Sequence, residues 1–315
     1  MASLKSRLII FVLRNRHLLK FRLKKESWDF NTSIPRFRQE CENGAKKSGK
    51  LPEGIKVSSL RVAGMQAEWI CPAASSNGAV IFYTHGGGYV SGSCADHRNF
   101  VAKFVEGTGV RALVYEYRLA PEYPYPAALD DSLAAYRWLL DQGIAPAQTV
   151  IVGVSAGGGL GLCVLLALRD KGLPLPAAAV ALSPYTDLKL TGESLHTKAR
   201  VCLSPLGMSQ VCSRYYAGES DPGLPWMSPL YGDLHGLPPI HITVGEDETL
   251  LDDSTRFAEK ARAAGVEITL RVGEGMVHCY PLFAPLFPEA TQAMDEICAF
   301  IKAHTGSGQI SPVTD

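Results

Sequence analysis

The 315-residue chain has no apolar run of 18 residues, the length a helix needs to cross a bilayer. Leu8 to Leu13 is only six apolar residues before Arg14-Asn15-Arg16, too short for the apolar region of a signal peptide. It has no Cys-x-x-Cys pair and no His-Glu-x-x-His spacing, so neither a thiol redox pair nor a metal centre is indicated. Net charge is missing as well: 31 Lys and Arg stand against 31 Asp and Glu. Without a basic excess the body of the chain offers nothing to bind nucleic acid. No internal repeat or low-complexity tract interrupts it.

What is there suits a globular protein. Hydrophobic residues make up 46%, enough for a large core, and a chain of this length fits one domain with a small cap as well as two domains. The eight cysteines are scattered through apolar stretches, where a reduced thiol packs as a small hydrophobe; this predicts a cytoplasmic protein. Charge is unevenly spread. Residues 1–25 hold eight Lys or Arg and no acid, so a head of +8 precedes a body of −8. Apolar positions recur through that head at helical spacing, and the expectation is a helix or two whose apolar face is buried over a substrate channel. The alternative is a helix lying on a membrane surface.

The stretch VIVGVSAGGGLG, residues 150–161, organises the rest. A β-branched run ends in Gly153-Val154-Ser155-Ala156-Gly157 and passes at once into an apolar, helix-like segment. Ser155 therefore sits at a sharp strand-to-helix turn, where flanking glycines leave its hydroxyl clear and a helix N-terminus lies beneath developing negative charge. The pentapeptide by itself is weak, expected about 0.2 times by chance at this composition, and a glycine-rich turn packed against a neighbour would read the same. His85-Gly86-Gly87-Gly88, following a strand-like run, is more specific at about 0.007 chance occurrences. Consecutive glycines leave backbone N–H groups free to converge on one oxyanion. His85 competes as a base, but its place at a strand end suits shaping the loop.

Strand and helix patterns alternate from residue 79: strands near 79–84, 111–117, 149–154 and 178–182, with helices near 97–106, 127–142 and after Ser155. After a break at 184–237 they resume with a strand at 240–244, a helix near 253–264, a strand at 267–272 and a closing helix near 288–304. This predicts a doubly wound parallel sheet, preceded by an antiparallel hairpin over 57–62 and 66–71. Binding sites in such sheets form at the carboxyl ends of strands. The break at 184–237 carries several prolines and helix-like pieces near 194–216 and reads as an insertion over the site. Of the eight histidines, His278 lies in a loop at the required sheet edge, after Glu274-Gly275-Met276-Val277, and follows the serine in the chain order of α/β-hydrolases.

The GVSAG and HGGG motifs, together with Tyr117-Arg118-Leu119-Ala120-Pro121-Glu122 and the run Tyr125 to Asp131, resemble the hormone-sensitive-lipase family of α/β-hydrolases over residues 50–304. Val154 departs from the Asp or Thr usual before the family's serine. The resemblance implies an α/β-hydrolase fold: a mostly parallel eight-stranded sheet with helices on both faces and a helical cap. It implies residues 1–50 in the cap, a catalytic domain over 51–304 and a disordered tail over 305–315. It also implies a serine carboxylesterase acting on short- to medium-chain acyl esters, with Ser155, Glu248 and His278 catalytic and oxyanion donors from Gly86, Gly87, Gly88 and Ala156. Glu248 comes from aligning Glu246-Asp247-Glu248-Thr249-Leu250-Leu251-Asp252-Asp253 with the family's acid loop, where Asp247 would need an insertion. No cofactor or metal is implied, the expected partner is a small-molecule ester, and the assembly is a monomer or homodimer. Competing readings are a non-catalytic ligand-binding protein on the same fold and an amidase or carbamate hydrolase.

Overall fold

The computed structural model describes residues 2–15, 26–47, 51–73 and 78–306. One sheet contains β1 (Lys56–Val62), β2 (Met65–Cys71), β3 (Val80–Thr84), β4 (Arg111–Tyr115), β5 (Thr149–Val154), β6 (Ala178–Leu182), β7 (Ile240–Gly245) and β8 (Ile268–Gly273). Their order across it is β1-β2-β4-β3-β5-β6-β7-β8. The hairpin β1–β2 is antiparallel and joins β4 antiparallel; every other neighbour pair is parallel. β3, β5, β6 and β7 are buried along their whole length, which is why they read as continuous apolar runs.

Around the sheet lie α1 (Leu4–Arg14), α2 (Ile34–Lys47), α3 (Cys94–Thr108), α4 (Ala127–Asp141), α5 (Ala156–Asp170), α6 (Ser194–Thr197), α7 (Met208–Ala217), α8 (Leu251–Ala263) and α9 (Pro288–His304). Alternation along each strand splits the core between the two faces. Val80 and Phe82 pack with residues of α4, α5 and α8, whereas Ile81 and Tyr83 pack with α3 and α9. The expected alternation is thus present, with bounds moved by a few residues. α3 begins earlier than its apolar pattern because Ser93 Oγ caps Asp96 N–H, and it stops at Gly109, φ 72°.

The helix-like pieces expected near 194–216 are α6 and α7, and the chain between them turns at Gly207. Gly207 has φ 78°, and a Cβ there would lie 2.4 Å from Trp28 O. At this point the insertion pairs with the N-terminal segment: Trp28 N–H donates to Leu206 O at 2.7 Å and Leu206 N–H to Glu26 O at 3.0 Å. The segment that differs from expectation is α1, which leaves one apolar stripe exposed. Leu4, Leu8, Phe11 and Val12 are 85%, 65%, 64% and 47% exposed, while Ser6 is fully buried. The inward side packs Ile9 and Ile10 against the core and is tied by polar contacts, Ser3 and Ser6 on Glu289 and Arg14 on Asp247. Residues 16–25, the rest of the basic head, lie outside the described residues. At the other end Thr305, placed in the tail by the sequence, is buried and its hydroxyl donates to Ile301 O at 2.9 Å; residues 307–315 lie outside the described residues.

Candidate active site

Ser155 occupies the single-residue turn between β5 and α5 with φ 56° and ψ −122°, a conformation costing a side-chain-bearing residue about 1–3 kcal/mol. Its neighbours hold it there. Ser155 N–H donates to Leu182 O at 2.8 Å, and Ser155 O accepts from Gly159 N and Tyr185 N, each at 3.1 Å. The turn closes only with glycine on either side. A Cβ on Gly153 would lie 2.3 Å from Gly157 O, and one on Gly157 would lie 2.1 Å from Thr84 O.

Three distant side chains meet at this turn. Ser155 Oγ lies 3.1 Å from His278 Nε2, and His278 Nδ1 makes a very short contact with Glu248 Oε2. A carboxylate can only accept, so the Nδ1 proton points at Glu248 and leaves the Nε2 lone pair toward the serine hydroxyl. Glu248 is completely buried, and its other oxygen, Oε1, accepts from Ser183 Oγ at 2.7 Å and Gly245 N at 2.5 Å. Burial opposes charging of His278, yet Cys279 and the Glu248 carboxylate act the other way and its pKa lies well above the ordinary histidine value. Asp247 points elsewhere, to Arg14 at 2.6 Å and Lys198 at 3.3 Å.

Ser183 was not singled out from the sequence. It follows β6, has φ 47°, and besides donating to Glu248 accepts from Cys279 N–H at 3.0 Å. One hydroxyl thereby ties the acid to the loop carrying the imidazole. The only sequence signal is its position at a strand's carboxyl end.

The glycine loop lies against the same turn. Gly87 and Gly88 have φ 115° and 65°, and among the described residues no acceptor partners the N–H of Gly87, Gly88 or Ala156. A Cβ on Gly86 would lie 2.8 Å from Val154 O, and one on Gly88 2.5 Å from Cys212 Sγ. His85 shapes this loop from beneath. It is buried, stacked on Tyr117 with centroids 3.9 Å apart, and its pKa is pushed down to about 4 by burial. As a neutral ring it donates from Nδ1 to Gly86 O at 2.9 Å. His97 is similarly neutral, with Nδ1 2.9 Å from Tyr83 OH. A cavity of about 420 Å³ opens above Ser155, walled by Phe37, Phe100, Leu203, Met208 and Phe283. The N-terminal segment and the 184–237 insertion both contribute to it; α1 does not. Among the described residues no cluster of three or more His, Cys, Asp or Glu could hold a metal ion.

A parallel sheet with a strained serine at a strand-to-helix turn and a histidine against its hydroxyl defines the class of serine hydrolases on an α/β scaffold. Comparison with known proteins agrees. A family model described as alpha/beta hydrolase fold matches residues 81–282. The chain is 42% identical over 260 residues to an acetyl-hydrolase of Streptomyces hygroscopicus, covering 82% of this chain and 85% of that protein. It is 38% identical over 248 residues to an esterase of Acinetobacter venetianus, covering 78% and 82%. The crystal structure of an esterase from the bacterial hormone-sensitive lipase family superposes with a TM-score of 0.87 at 39% identity, covering 97% of this chain and all of that one. The chain belongs to the hormone-sensitive-lipase branch of the α/β-hydrolase fold family, and it is a carboxylic-ester hydrolase.

Proposed function

We propose that this protein hydrolyses small esters of short- to medium-chain carboxylic acids through an acyl-enzyme on Ser155. His278 takes the proton from Ser155 Oγ as the oxygen attacks the ester carbonyl, and then gives it to the departing alkoxide. Glu248 holds the imidazole in the tautomer that makes this transfer feasible and stabilises the imidazolium that forms. The N–H groups of Gly87 and Gly88, in the loop that Gly86 opens, and of Ala156, at the start of α5, receive the negative oxygen, with the α5 N-terminus adding its dipole. Water, activated by the same imidazole, then releases the acid. Residues 26–47 and the 184–237 insertion act together as the cap that shapes the acyl pocket.

The observation that carries this reading is the 3.1 Å approach of His278 Nε2 to Ser155 Oγ, with the opposite ring nitrogen held by a buried carboxylate. The preference for short to medium chains rests on the limited size of the mainly apolar cavity, about 420 Å³. A series of p-nitrophenyl esters of increasing acyl length, with the matching anilide as control, tests both parts. Turnover should peak within the short to medium range, the anilide should be far slower, and Ser155→Ala should abolish both. Equal turnover by the Ser155→Ala protein refutes the mechanism; a rising rate through long chains refutes the pocket argument.

A further inference from the structure

The outward face of α1 has no role in the chemistry above, and its pattern is specific. At about 100° per residue, Leu4, Leu8, Phe11 and Val12 form one continuous stripe, and all four are exposed. Lys5 and Arg7 are exposed too and fall on opposite flanks of that stripe. The inward face carries Ser6 and Ile10, both buried. The helix is therefore apolar on two sides: Ile9 and Ile10 pack on the body, and the stripe of Leu4, Leu8, Phe11 and Val12 is left turned outward, where packing on a globular body does not account for it.

We propose that α1 is a membrane-surface helix that lies in the headgroup region of an anionic bilayer. An apolar stripe bordered on both sides by long basic side chains is the arrangement that interfacial helices present to lipid: the stripe enters the acyl boundary while Lys5 and Arg7 reach back to phosphates. Charge complementarity selects the occupant. No acidic residue lies in α1, and the acids beneath it, Glu289 and Asp247, are engaged by Ser3, Ser6 and Arg14 on its inner face. A second copy of this chain fits less well, because a stable dimer buries about 800 Å² per partner over about 20 residues and this face offers four apolar side chains. Docked through Asp247, the neighbour of Glu248, and with Ala2 against Gly275 in the loop before His278, the helix sets the loops of the triad beside the lipid.

Flotation with vesicles tests this on the full chain. The wild type should float with phosphatidylglycerol–phosphatidylcholine vesicles, weakly with phosphatidylcholine alone, and less as salt screens the headgroups. Leu8→Glu with Phe11→Glu should abolish flotation. Lys5→Ala with Arg7→Ala should weaken partitioning about 30-fold. Both double variants should keep wild-type thermal stability and turnover of a soluble p-nitrophenyl ester, since none of these side chains borders the cavity. Failure of the wild type to float, or flotation undiminished by the Leu8→Glu and Phe11→Glu changes, overturns the proposal. So does a dimer in light scattering that those two changes dissociate while vesicles capture nothing.

Discussion

Replacing Glu248 by Gln tests the arrangement of the acid more sharply than deleting it, because the hydrogen bonds around that carboxyl dictate which way an amide must turn. Oε1 accepts from two donors, Ser183 Oγ at 2.7 Å and Gly245 N–H at 2.5 Å. An amide at this position must keep its oxygen there, since turning its NH2 toward Gly245 N–H would set donor against donor in a fully buried site. The NH2 group then faces His278 Nδ1 and donates to it, which forces the imidazole proton onto Nε2. That tautomer cannot accept from Ser155. Loss of the correct tautomer costs about 10⁴-fold in kcat, with little change in KM because nothing in the cavity has moved. Asp247→Asn is the control. It weakens ion pairs to Arg14 and Lys198 whose side chains are 21–27% exposed, worth roughly 0.2–1 kcal/mol each, and should leave kcat within about tenfold of wild type. Steady-state kinetics on a p-nitrophenyl ester, with circular dichroism to check folding, distinguish the two. A Glu248→Gln protein with near-normal kcat, or an Asp247→Asn protein that loses activity, would refute the reasoning.

Three further outcomes are expected. Ser183→Ala removes a hydrogen bond to the acid and leaves Cys279 N–H without its acceptor; a charge-assisted bond of this kind corresponds to about 10- to 100-fold in kcat, which Ser183→Thr should partly restore. Because the His278 pKa is raised in the fold and only the neutral ring accepts the serine proton, kcat/KM should rise with pH along a limb whose midpoint exceeds about 6.5; a plateau reaching below pH 6 contradicts this. His85 and His97 are held neutral by burial, with pKa values pushed down to about 4 and about 3. The unfolded chain therefore binds protons that the folded one refuses, and stability present above pH 6.5 should fall toward pH 4 by about 1.4 kcal/mol per pH unit for each ring. Denaturant unfolding across that range measures the slope, and His97→Asn should reduce it by one histidine's share.

Legibility in the sequence followed the range of the interactions. The turn at Ser155 was visible because its signature is local: β-branched residues, then a serine between glycines, then an apolar helix. The buried strands and their intervening helices were visible for the same reason. Glu248 was reached only through likeness to a family's acid loop, since Asp247 and Glu248 differ by one residue and nothing local says which turns inward. Ser183 was missed because its partners lie 65 and 96 residues away and a serine after a strand is unremarkable until the sheet is assembled. Periodicity announced α1 as amphipathic but could not say which face the body would take. In the structure Ile9 and Ile10 pack against the core on the same side on which Glu289 and Asp247 engage Ser3, Ser6 and Arg14.

Asp247 joins three parts of the chain: Arg14 reaches it from the N-terminal helix and Lys198 from the insertion beside the cavity, while its own loop carries Glu248. Two cations sharing one carboxylate are thermodynamically coupled, and such coupling is reciprocal. Whatever draws Arg14 away leaves Lys198 as the carboxylate's remaining cation, and whatever moves Lys198 changes by the same factor the affinity with which the helix docks. With partly exposed pairs of roughly 0.2–1 kcal/mol that factor is about 1.4 to 5. The position of Lys198 and the attachment of the helix are thus linked across the acid loop.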